Sequence, residues 1–180
     1  MKIYVMRHGR TVWNEKGIIQ GFSKNRLSAF GKQQVEEVAQ RLAVVKIDAI
    51  FSSPLVRTMQ TANIISKKLH VKVLKDERII ERNKGVLAGR LKKTQTEEEL
   101  KLREQNPHAL GMESEQEIYV RVLDFMKMLK EKFPNKTILI VSHGRVTQMV
   151  EYVCKFSGWD EKKFWSIQNF ENAEIREFEY

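Results

Sequence analysis

Thr137-Ile-Leu-Ile-Val-Ser142 is a nearly continuous apolar stretch, and it ends directly at His143-Gly144. Such a stretch is typical of a strand that is buried on both faces of a parallel sheet. A second strand pattern, Lys2 to Met6, ends in Arg7-His8-Gly9. Because ligand sites of open α/β sheets lie beyond the carboxyl ends of the strands, we expect the two histidines to meet in one crevice.

Strand and helix patterns alternate along the rest of the chain. Further strands are predicted at 48–53, 71–74 and 175–180, and helices are predicted after Ser28, Pro54, Thr96, Ser114 and Gly144. This alternation predicts an α/β fold, a three-layer α/β/α sandwich with a mostly parallel, doubly wound central sheet. The last strand is expected to lie at an edge, where it could pair with a second copy, so both a monomer and a homodimer are open.

The length and composition indicate one domain over residues 1–180. A chain of 180 residues with 42% hydrophobic residues can enclose a sizeable core. The apolar run from Ile3 to Met6 is far shorter than a signal-peptide core or the roughly 20 residues of a membrane span. Cys154 is the only cysteine, which excludes an internal disulfide and favours a reducing compartment. We therefore expect a cytoplasmic protein that does not associate with membranes.

The surface is expected to attract anions, because the formal net charge is +9 and the isoelectric point is about 9.6. Charge alone does not distinguish nucleic acid, acidic lipid and phosphorylated small molecules. The sequence contains no block of five or six basic residues and no recognisable nucleic-acid motif. Phosphorylated small molecules are therefore the expected partners, and nucleic-acid binding rests on the net charge alone.

The strand ends carry residue types that suit phosphoryl transfer. This reaction needs a nucleophile, cations for the charge-sharing oxygens and an acid for the leaving alcohol. A neutral imidazole is nucleophilic near pH 7, and arginines bind phosphate bidentately. Arg7 precedes one histidine, and Arg57 lies just beyond the second strand. A single histidine after a strand is most often an ordinary loop residue, but two with matched arginines point to a site.

Four motifs in chain order resemble the signatures of the histidine phosphatase superfamily, in its phosphoglycerate mutase-like branch. The resemblance covers nearly the whole chain. The motifs are Arg7-His8-Gly9-x-Thr11-x-x-Asn14, Ser52-Ser53-Pro54-x-x-Arg57-x-x-x-Thr61-Ala62, Glu81-x-x-x-Gly85-x-x-x-Gly89 and Ser142-His143-Gly144.

The resemblance implies a role for each motif residue. It implies that His8 becomes phosphorylated and that Glu81 is the proton donor, a role given to Glu81 and not Glu77 because only Glu81 has glycines four and eight residues later. The phosphate pocket is expected to comprise Arg7, Asn14, Arg57 and His143, and further substrate contacts are expected from Gln20, Gly21, Arg82 and Gly144. No cofactor or metal is expected. A zinc site on the two histidines is the rival, but it would need a third ligand beside repelling arginines.

The resemblance leaves three activities open. Mutases with these motifs are longer chains, whose added segments close over the site, so a chain of 180 residues favours a phosphatase that hydrolyses phosphate monoesters of small metabolites. A phosphoglycerate mutase-type phosphotransferase is the alternative within the same class. A phospho-ligand binding module without catalysis is the alternative from another class.

Several departures from the family pattern add positive charge near the predicted mouth of the site. The covering insertion is expected at 82–113, and its first part carries basic residues with no acidic one between 82 and 93. The basic residues in question are Arg10, Lys24, Arg26, Arg82, Lys84, Arg90, Lys92, Lys93 and Arg145. A solvated basic loop explains them equally well. The hypothesis that follows is a substrate with a second anionic group, such as a bisphosphate or a phosphorylated carboxylic acid.

Overall fold

A computed structural model describes all residues from 1 to 180 and contains one five-stranded sheet. The strands are β1 (Lys2–Arg7), β2 (Ala49–Ser52), β3 (Val73–Lys75), β4 (Thr137–Ser142) and β5 (Ile175–Glu179). Their order in the sheet is β3-β2-β4-β1-β5. The first four strands are parallel, and β5 pairs antiparallel with β1 at one edge. The predicted, mostly parallel sheet is confirmed.

Seven α-helices surround the sheet. They are α1 (Val12–Glu15), α2 (Ala29–Leu42), α3 (Val56–Leu69), α4 (Glu97–Gln105), α5 (Glu115–Lys132), α6 (Gly144–Lys155) and α7 (Glu161–Trp165). Short 3₁₀ turns lie at Glu77–Ile79, Gly85–Leu87, Lys92–Thr94 and Pro107–Leu110. None of the helices is both long and apolar enough to cross a membrane.

The central strand β4 is buried on both faces, as its apolar sequence predicts. Ile138 and Ile140 belong to a core shared with α5, α6 and α7. Leu139 and Val141 belong to a second core shared with α2 and α3. Because successive side chains of a strand point to opposite faces, this strand joins two cores that lie on either side of the sheet. The predicted three-layer sandwich is confirmed.

The helix starts were predicted better than the boundaries of the third strand. Ser28, Thr96 and Ser114 each cap a helix with a side-chain hydrogen bond to a backbone N–H, as the sequence predicts. The strand predicted at 71–74 is observed at Val73–Lys75. It begins later because its pairing with β2 begins at Val73, opposite Ile50.

The strand register brings the candidate residues to one edge of the sheet. Arg7 at the end of β1 lies opposite Ser142 at the end of β4, and the backbone N–H of His8 donates to the carbonyl of Ser142 at 2.9 Å. Ser52 at the end of β2 lies opposite Val141. The three strands therefore end at the same level, and the residues that follow them are neighbours.

The loop after His8 packs tightly against α2, and two glycines allow this contact. A Cβ on Gly9 would lie 2.5 Å from the carbonyl oxygen of Gly31, and a Cβ on Gly31 would lie 1.9 Å from that of Arg10. Both separations are far below van der Waals contact with backbone atoms that cannot easily move. The Arg7-His8-Gly9 triplet thus needs its glycine for packing.

The segment predicted as a covering insertion, 82–113, has a small apolar cluster of its own. Leu87, Leu110 and Met112 pack there with Ile19 from the loop after α1. The N–H of Gly89 donates to the carbonyl of Ile19 at 2.8 Å. These contacts join the segment to the loop beside the strand ends, while its standing as a separate insertion stays a prediction.

Candidate active site

A cavity of about 370 Å³ opens at the carboxyl ends of β1 and β4. Its size falls in the range of small-molecule sites. Its walls come from the strand ends, the loop after α1 and the segment predicted to cover the site. The lining residues are Arg7, His8, Asn14, Ile18, Ile19, Gln20, Gly21, Glu81, Lys84, Leu87, Lys92, Gln95, Arg103, Met112, Gly144, Arg145 and Asn169.

His8 lies in the cavity wall with its tautomer fixed by a backbone contact. Its Nδ1 lies 2.8 Å from the carbonyl oxygen of Gly9. Because a carbonyl can only accept, Nδ1 carries the proton and Nε2 keeps its lone pair. Burial, followed by the charges of Arg57 and Arg7, holds the pKa of His8 well below 6.5. At neutral pH the ring is therefore a neutral imidazole with an unprotonated Nε2, which is the form a nucleophile needs.

Arg7 presents an unsatisfied donor beside this imidazole. One terminal nitrogen of its guanidinium donates to the carbonyl of Phe170 at 2.6 Å. Its Nε is buried and has no hydrogen-bond partner in the protein. A buried charged donor without an acceptor is unfavourable, so an anion in the cavity would relieve this cost.

Arg57 and His143 pack behind His8 and do not line the cavity. The rings of His8 and His143 are edge to face with centroids 5.3 Å apart. Arg57 is fully buried, its Nε donates to Nδ1 of His143 at 3.2 Å, and its terminal nitrogens donate to the carbonyls of Gly21 and Ser23. The structure brings both residues to the site, while their predicted direct contact with phosphate stays a prediction.

The hydrogen bonds of His143 also define its protonation. Since Arg57 can only donate, Nδ1 of His143 accepts, and Nε2 carries the proton and donates to Oγ of Ser53 at 2.8 Å. Burial, followed by the charge of Arg57, holds the pKa of His143 well below 6.5. The ring is neutral, so its 4.0 Å approach to Glu81 is not an ion pair. Neither ring nitrogen has a lone pair free for a zinc ion.

Glu81 lies in the cavity wall, where the fold anchors the chain just before it. The hydroxyl of Ser142, at the end of β4, donates to the carbonyl of Ile79 at 2.7 Å. One oxygen of Glu81 accepts from the backbone N–H of Arg82 at 2.8 Å, and the side chain is 12% exposed. Glu81 therefore lines the same cavity as His8, and only one of its two carboxylate oxygens accepts a hydrogen bond from the protein.

Three other residues predicted to contact substrate line the cavity, namely Asn14, Gln20 and Gly21. Their hydrogen bonds join them to other residues of the protein. Oδ1 of Asn14 accepts from the N–H and hydroxyl of Thr11, which caps α1, while its Nδ2 has no partner in the protein. Gln20 accepts from Asn25, and Gly21 has a positive φ of 50° and accepts from Arg57 through its carbonyl. Two side-chain donors are left for a ligand, the Nδ2 of Asn14 and the Nε2 of Gln20, because neither donates a hydrogen bond within the protein.

Gly144 places the start of α6 in the cavity wall. This helix has 12 residues, and no side chain caps its N-terminus. The free N–H groups of a first helical turn and the helix dipole both favour an anion. A Cβ on Gly144 would come within 3.4 Å of the Arg7 guanidinium, so the glycine keeps the helix start close to that arginine.

The structure places Arg82 outside the cavity. Its side chain is buried, donates to the carbonyl of Glu113 at 2.7 Å and pairs with Glu115 at 2.6 Å. The sequence suggested a substrate contact because Arg82 directly follows Glu81. Glu81 lines the cavity, whereas Arg82 is held by Glu113 and Glu115, so the predicted contact has no geometric support.

Other cations line the cavity instead of Arg82. Lys84, Lys92 and Arg145 come from the basic residues noted in the sequence, but Arg103 was not predicted. Arg103 lies on α4, whose sequence is polar all round and gives no sign of which face meets the site. Burial lowers the pKa of Lys84 to about 8, so this lysine is charged at neutral pH.

A loop near the C-terminus supports the site and was also missed. The Phe170 carbonyl holds Arg7, and Nδ2 of Asn172 donates to the carbonyl of His8 at 3.2 Å. Arg176 donates to the carbonyls of Gln168 and Asn169 and lies 3.9 Å over the Phe170 ring. No motif marks this loop, because most of its hydrogen bonds are accepted by backbone carbonyls that any residue supplies.

The chain is similar to known proteins in sequence. Residues 3–180 match the family model described as histidine phosphatase superfamily, branch 1. The chain is 35% identical over 173 residues to phosphoserine phosphatase 1 of Hydrogenobacter thermophilus. The match covers 93% of this chain and 81% of that protein. It is 33% identical over 187 residues to the protein named "Probable phosphoglycerate mutase GpmB" of Salmonella paratyphi A, with 100% and 85% covered.

A solved structure agrees with these sequence matches. The phosphoserine phosphatase of Entamoeba histolytica in complex with 3-phosphoglyceric acid superposes with a TM-score of 0.81 at 27% identity. The similarity covers 98% of this chain and 89% of that one. The likeness therefore extends over the sheet, the surrounding helices and the segment predicted to cover the site.

The pKa of His8 is expected to rise toward 6.5 in Arg57→Gln. Arg57 contributes the largest charge effect on this imidazole, and its removal makes the imidazolium less unfavourable. Because the neutral ring predominates above its pKa, the acid limb of kcat/KM should move to higher pH in the variant. NMR titration of the His8 Cε1–H signal measures the pKa directly.

Arg26→Gln is the matched control for this titration, since it removes an exposed arginine that does not line the cavity. It should leave the pKa of His8 unchanged. Arg7→Gln should move the pKa in the same direction as Arg57→Gln, which keeps the test usable if the buried Arg57 variant folds poorly. An unchanged or lower pKa of His8 in both folded variants would contradict the assignment.

Proposed function

This chain belongs to the histidine phosphatase superfamily, and we propose that it is a phosphatase that hydrolyses phosphate monoesters of small metabolites through a phosphohistidine on His8. The observation that carries the proposal is that two residues of one cavity each have a group without a partner, one a lone pair and the other a hydrogen-bond donor. Nε2 of His8 keeps its lone pair, and the buried Nε of Arg7 has no acceptor. A phosphoryl group satisfies both, because it offers an electrophilic phosphorus and anionic oxygens.

The first step transfers the phosphoryl group to the protein. Nε2 of His8 attacks phosphorus while the bond from phosphorus to the ester oxygen breaks. The proton stays on Nδ1 of His8, whose hydrogen bond to the Gly9 carbonyl keeps the ring aligned. Glu81, in its protonated form, gives its proton to the departing oxygen, so the alcohol leaves neutral.

The second step hydrolyses the phosphohistidine. Glu81, now a carboxylate, takes a proton from the water that attacks phosphorus. The bond between Nε2 and phosphorus breaks, inorganic phosphate is released, and His8 returns to its neutral form. The guanidinium of Arg7 and the free N–H groups at the start of α6 stabilise the oxygens in both transition states.

Hydrolysis is favoured over mutase chemistry. The relatives point both ways, since one is called a phosphoserine phosphatase and another a phosphoglycerate mutase. The segment 82–113 contributes only short helical pieces over the cavity, which favours access of water to the phosphohistidine. A mutase remains the second candidate because of the relative with that name. The presence of His8, Arg7 and Glu81 in one cavity weighs against a binding module without catalysis.

His8→Ala should abolish release of inorganic phosphate from 4-nitrophenyl phosphate, with kcat falling at least a thousand-fold, because the covalent route is lost. Rapid base quenching with ³²P-labelled substrate should trap a phosphoprotein that is stable in base and labile in acid in the wild type, and none in the variant. His108→Ala, which removes an exposed histidine, should retain full activity. Equal phosphate release by His8→Ala would exclude the phosphohistidine route.

Glu81→Gln should slow esters with poor leaving groups by about a hundred-fold or more, and aryl phosphates far less, because general acid catalysis matters most for a basic leaving oxygen. Phosphoserine and 4-nitrophenyl phosphate are suitable substrates for comparing kcat/KM. Glu77→Gln is the control, since Glu77 is the nearby exposed glutamate outside the cavity. Equal slowing of both esters would show that Glu81 is not the leaving-group acid.

The lining of the cavity supports a substrate with a second anionic group. The lining includes five cationic side chains and only one carboxylate, Glu81. The five cations are Arg7, Lys84, Lys92, Arg103 and Arg145. Phosphate at His8 uses Arg7, which leaves the other four cations for a second anionic group. A phosphorylated carboxylic acid or a bisphosphate would use this surplus of positive charge, and its capture should weaken as ionic strength rises.

Lys92→Ala should lower kcat/KM for 3-phosphoglycerate several-fold more than for glycerol 1-phosphate, because it removes a cation from the lining. Lys93→Ala is matched in charge and sequence position but does not line the cavity, so it should change the ratio less than twofold. Kinetics at two salt concentrations complete the test. The second-anion proposal fails if both lysine variants give the wild-type ratio.

A further inference from the structure

A groove of about 750 Å³ adjoins the catalytic cavity and has no part in the steps above. Arg103 and Arg145 line both spaces, so they form the boundary between them. The catalytic cavity, at about 370 Å³, holds a small phosphorylated acid without using the groove. The groove is therefore available to the part of a larger substrate that lies beyond its phosphate.

The charge of the groove differs from that of the catalytic cavity. Four cations and three carboxylates line it: Arg82, Arg103, Arg145 and Lys162 with Glu104, Glu115 and Glu161. Some of them neutralise each other, since Glu115 pairs with Arg82 at 2.6 Å and approaches Arg145 at 3.5 Å. A nearly balanced lining does not favour a further anion. It suits a neutral group that offers several hydrogen bonds.

Two tryptophans give the groove flat surfaces for a ring. Trp159 packs against Tyr119 and Phe164, with centroids 5.3 and 5.6 Å apart, and is fixed from behind. Trp165 is 47% exposed, and the guanidinium of Arg145 lies 4.6 Å over its ring. An indole held in place by an arginine and half open to a groove can stack on a ligand ring with little loss of side-chain freedom.

Glu115 adds an unused acceptor to the groove. Its side chain is more than nine-tenths buried, and one oxygen accepts from Arg82. The other oxygen is buried without any hydrogen-bond partner. A buried carboxylate oxygen without a donor is unfavourable, and a hydroxyl group of a ligand would satisfy it after a small movement of the neighbouring side chains.

We propose that this groove, bounded by Arg145 and Trp165, is a leaving-group subsite for an uncharged ring that bears hydroxyl groups. The inference rests on the proposed phosphatase function, and it extends the substrates from small phosphorylated acids to phosphate esters of sugars or nucleosides. The phosphate lies at His8, the ester oxygen lies beside Glu81, and the ring crosses between Arg103 and Arg145. There it stacks on Trp165 and donates a hydroxyl to Glu115.

The test compares three esters that have one phosphate and no other charge: glucose 6-phosphate, uridine 5′-monophosphate and glycerol 1-phosphate. Wild-type protein should hydrolyse at least one ring ester with a kcat/KM about tenfold above that of glycerol 1-phosphate. Trp165→Ala should remove this advantage, because stacking on an aromatic side chain has an effect of about this size. The same variant should leave kcat/KM for glycerol 1-phosphate within twofold.

Phe30→Ala is the matched control, because Phe30 is 52% exposed and lies on α2, outside both the cavity and the groove. It should change none of the three rates. A loss confined to uridine 5′-monophosphate identifies the nucleoside as the ring source, and a loss confined to glucose 6-phosphate identifies the sugar. The subsite is overturned if Trp165→Ala leaves the ratios unchanged or lowers all three rates equally.

A binding measurement separates this inference from the proposed function. Quenching of tryptophan fluorescence by the two ring esters is followed in His8→Ala and in the double variant with Trp165→Ala. Saturable quenching that needs Trp165 supports the subsite even if the wild type turns over no ester. Turnover of glycerol 1-phosphate without any quenching that depends on Trp165 would reject the subsite and leave the phosphatase proposal intact.

Discussion

The parallel pairing of β1 with β4 is the contact on which the rest of the site depends. Its register sets Arg7 opposite Ser142, and the residue that follows each of these strand ends is a histidine, His8 or His143. The two rings consequently lie 5.3 Å apart. The hydroxyl of Ser142 then holds the Ile79 carbonyl, which brings the following Glu81 to the same cavity. A shift of one residue in this register would turn these side chains to opposite faces of the sheet.

Uncompensated positive charge governs the chemistry of the cavity. Burial lowers the pKa values of Arg7 and Arg57, and that of Arg57 falls only to about 10, so both remain charged at neutral pH. Burial, followed by these charges, holds the pKa values of His8 and His143 well below 6.5 and keeps both imidazoles neutral. The same charges lack a full set of acceptors, as the unpartnered Nε of Arg7 demonstrates. A buried guanidinium donor without an acceptor is unfavourable, and an anion in the cavity would supply that acceptor.

The layered fold could be predicted because its signals are local. Period-two and helical patterns, together with the side-chain caps at Ser28 and Ser114, depend on residues only a few positions apart. The site was predictable where a sequence motif marks the residue, as for His8 and Glu81, which both line the cavity. It was not predictable where the direction of a side chain depends on contacts between distant segments. Arg82 pairs with Glu115, and Arg103 enters the cavity from a helix without an apolar face.

The sequence by itself determined the fold class, the superfamily and the position of His8 at a strand end, because strand periodicity and contiguous motifs are properties of the chain. Tertiary structure alone decided that Arg57 and His143 lie behind His8, that the loop around Phe170 holds Arg7, and that a groove with Trp165 adjoins the cavity. These features join residues that are distant in sequence. Their geometry depends on how the elements pack and on which backbone carbonyls remain free to accept hydrogen bonds after folding. Neither property can be deduced from the spacing of residues along the chain.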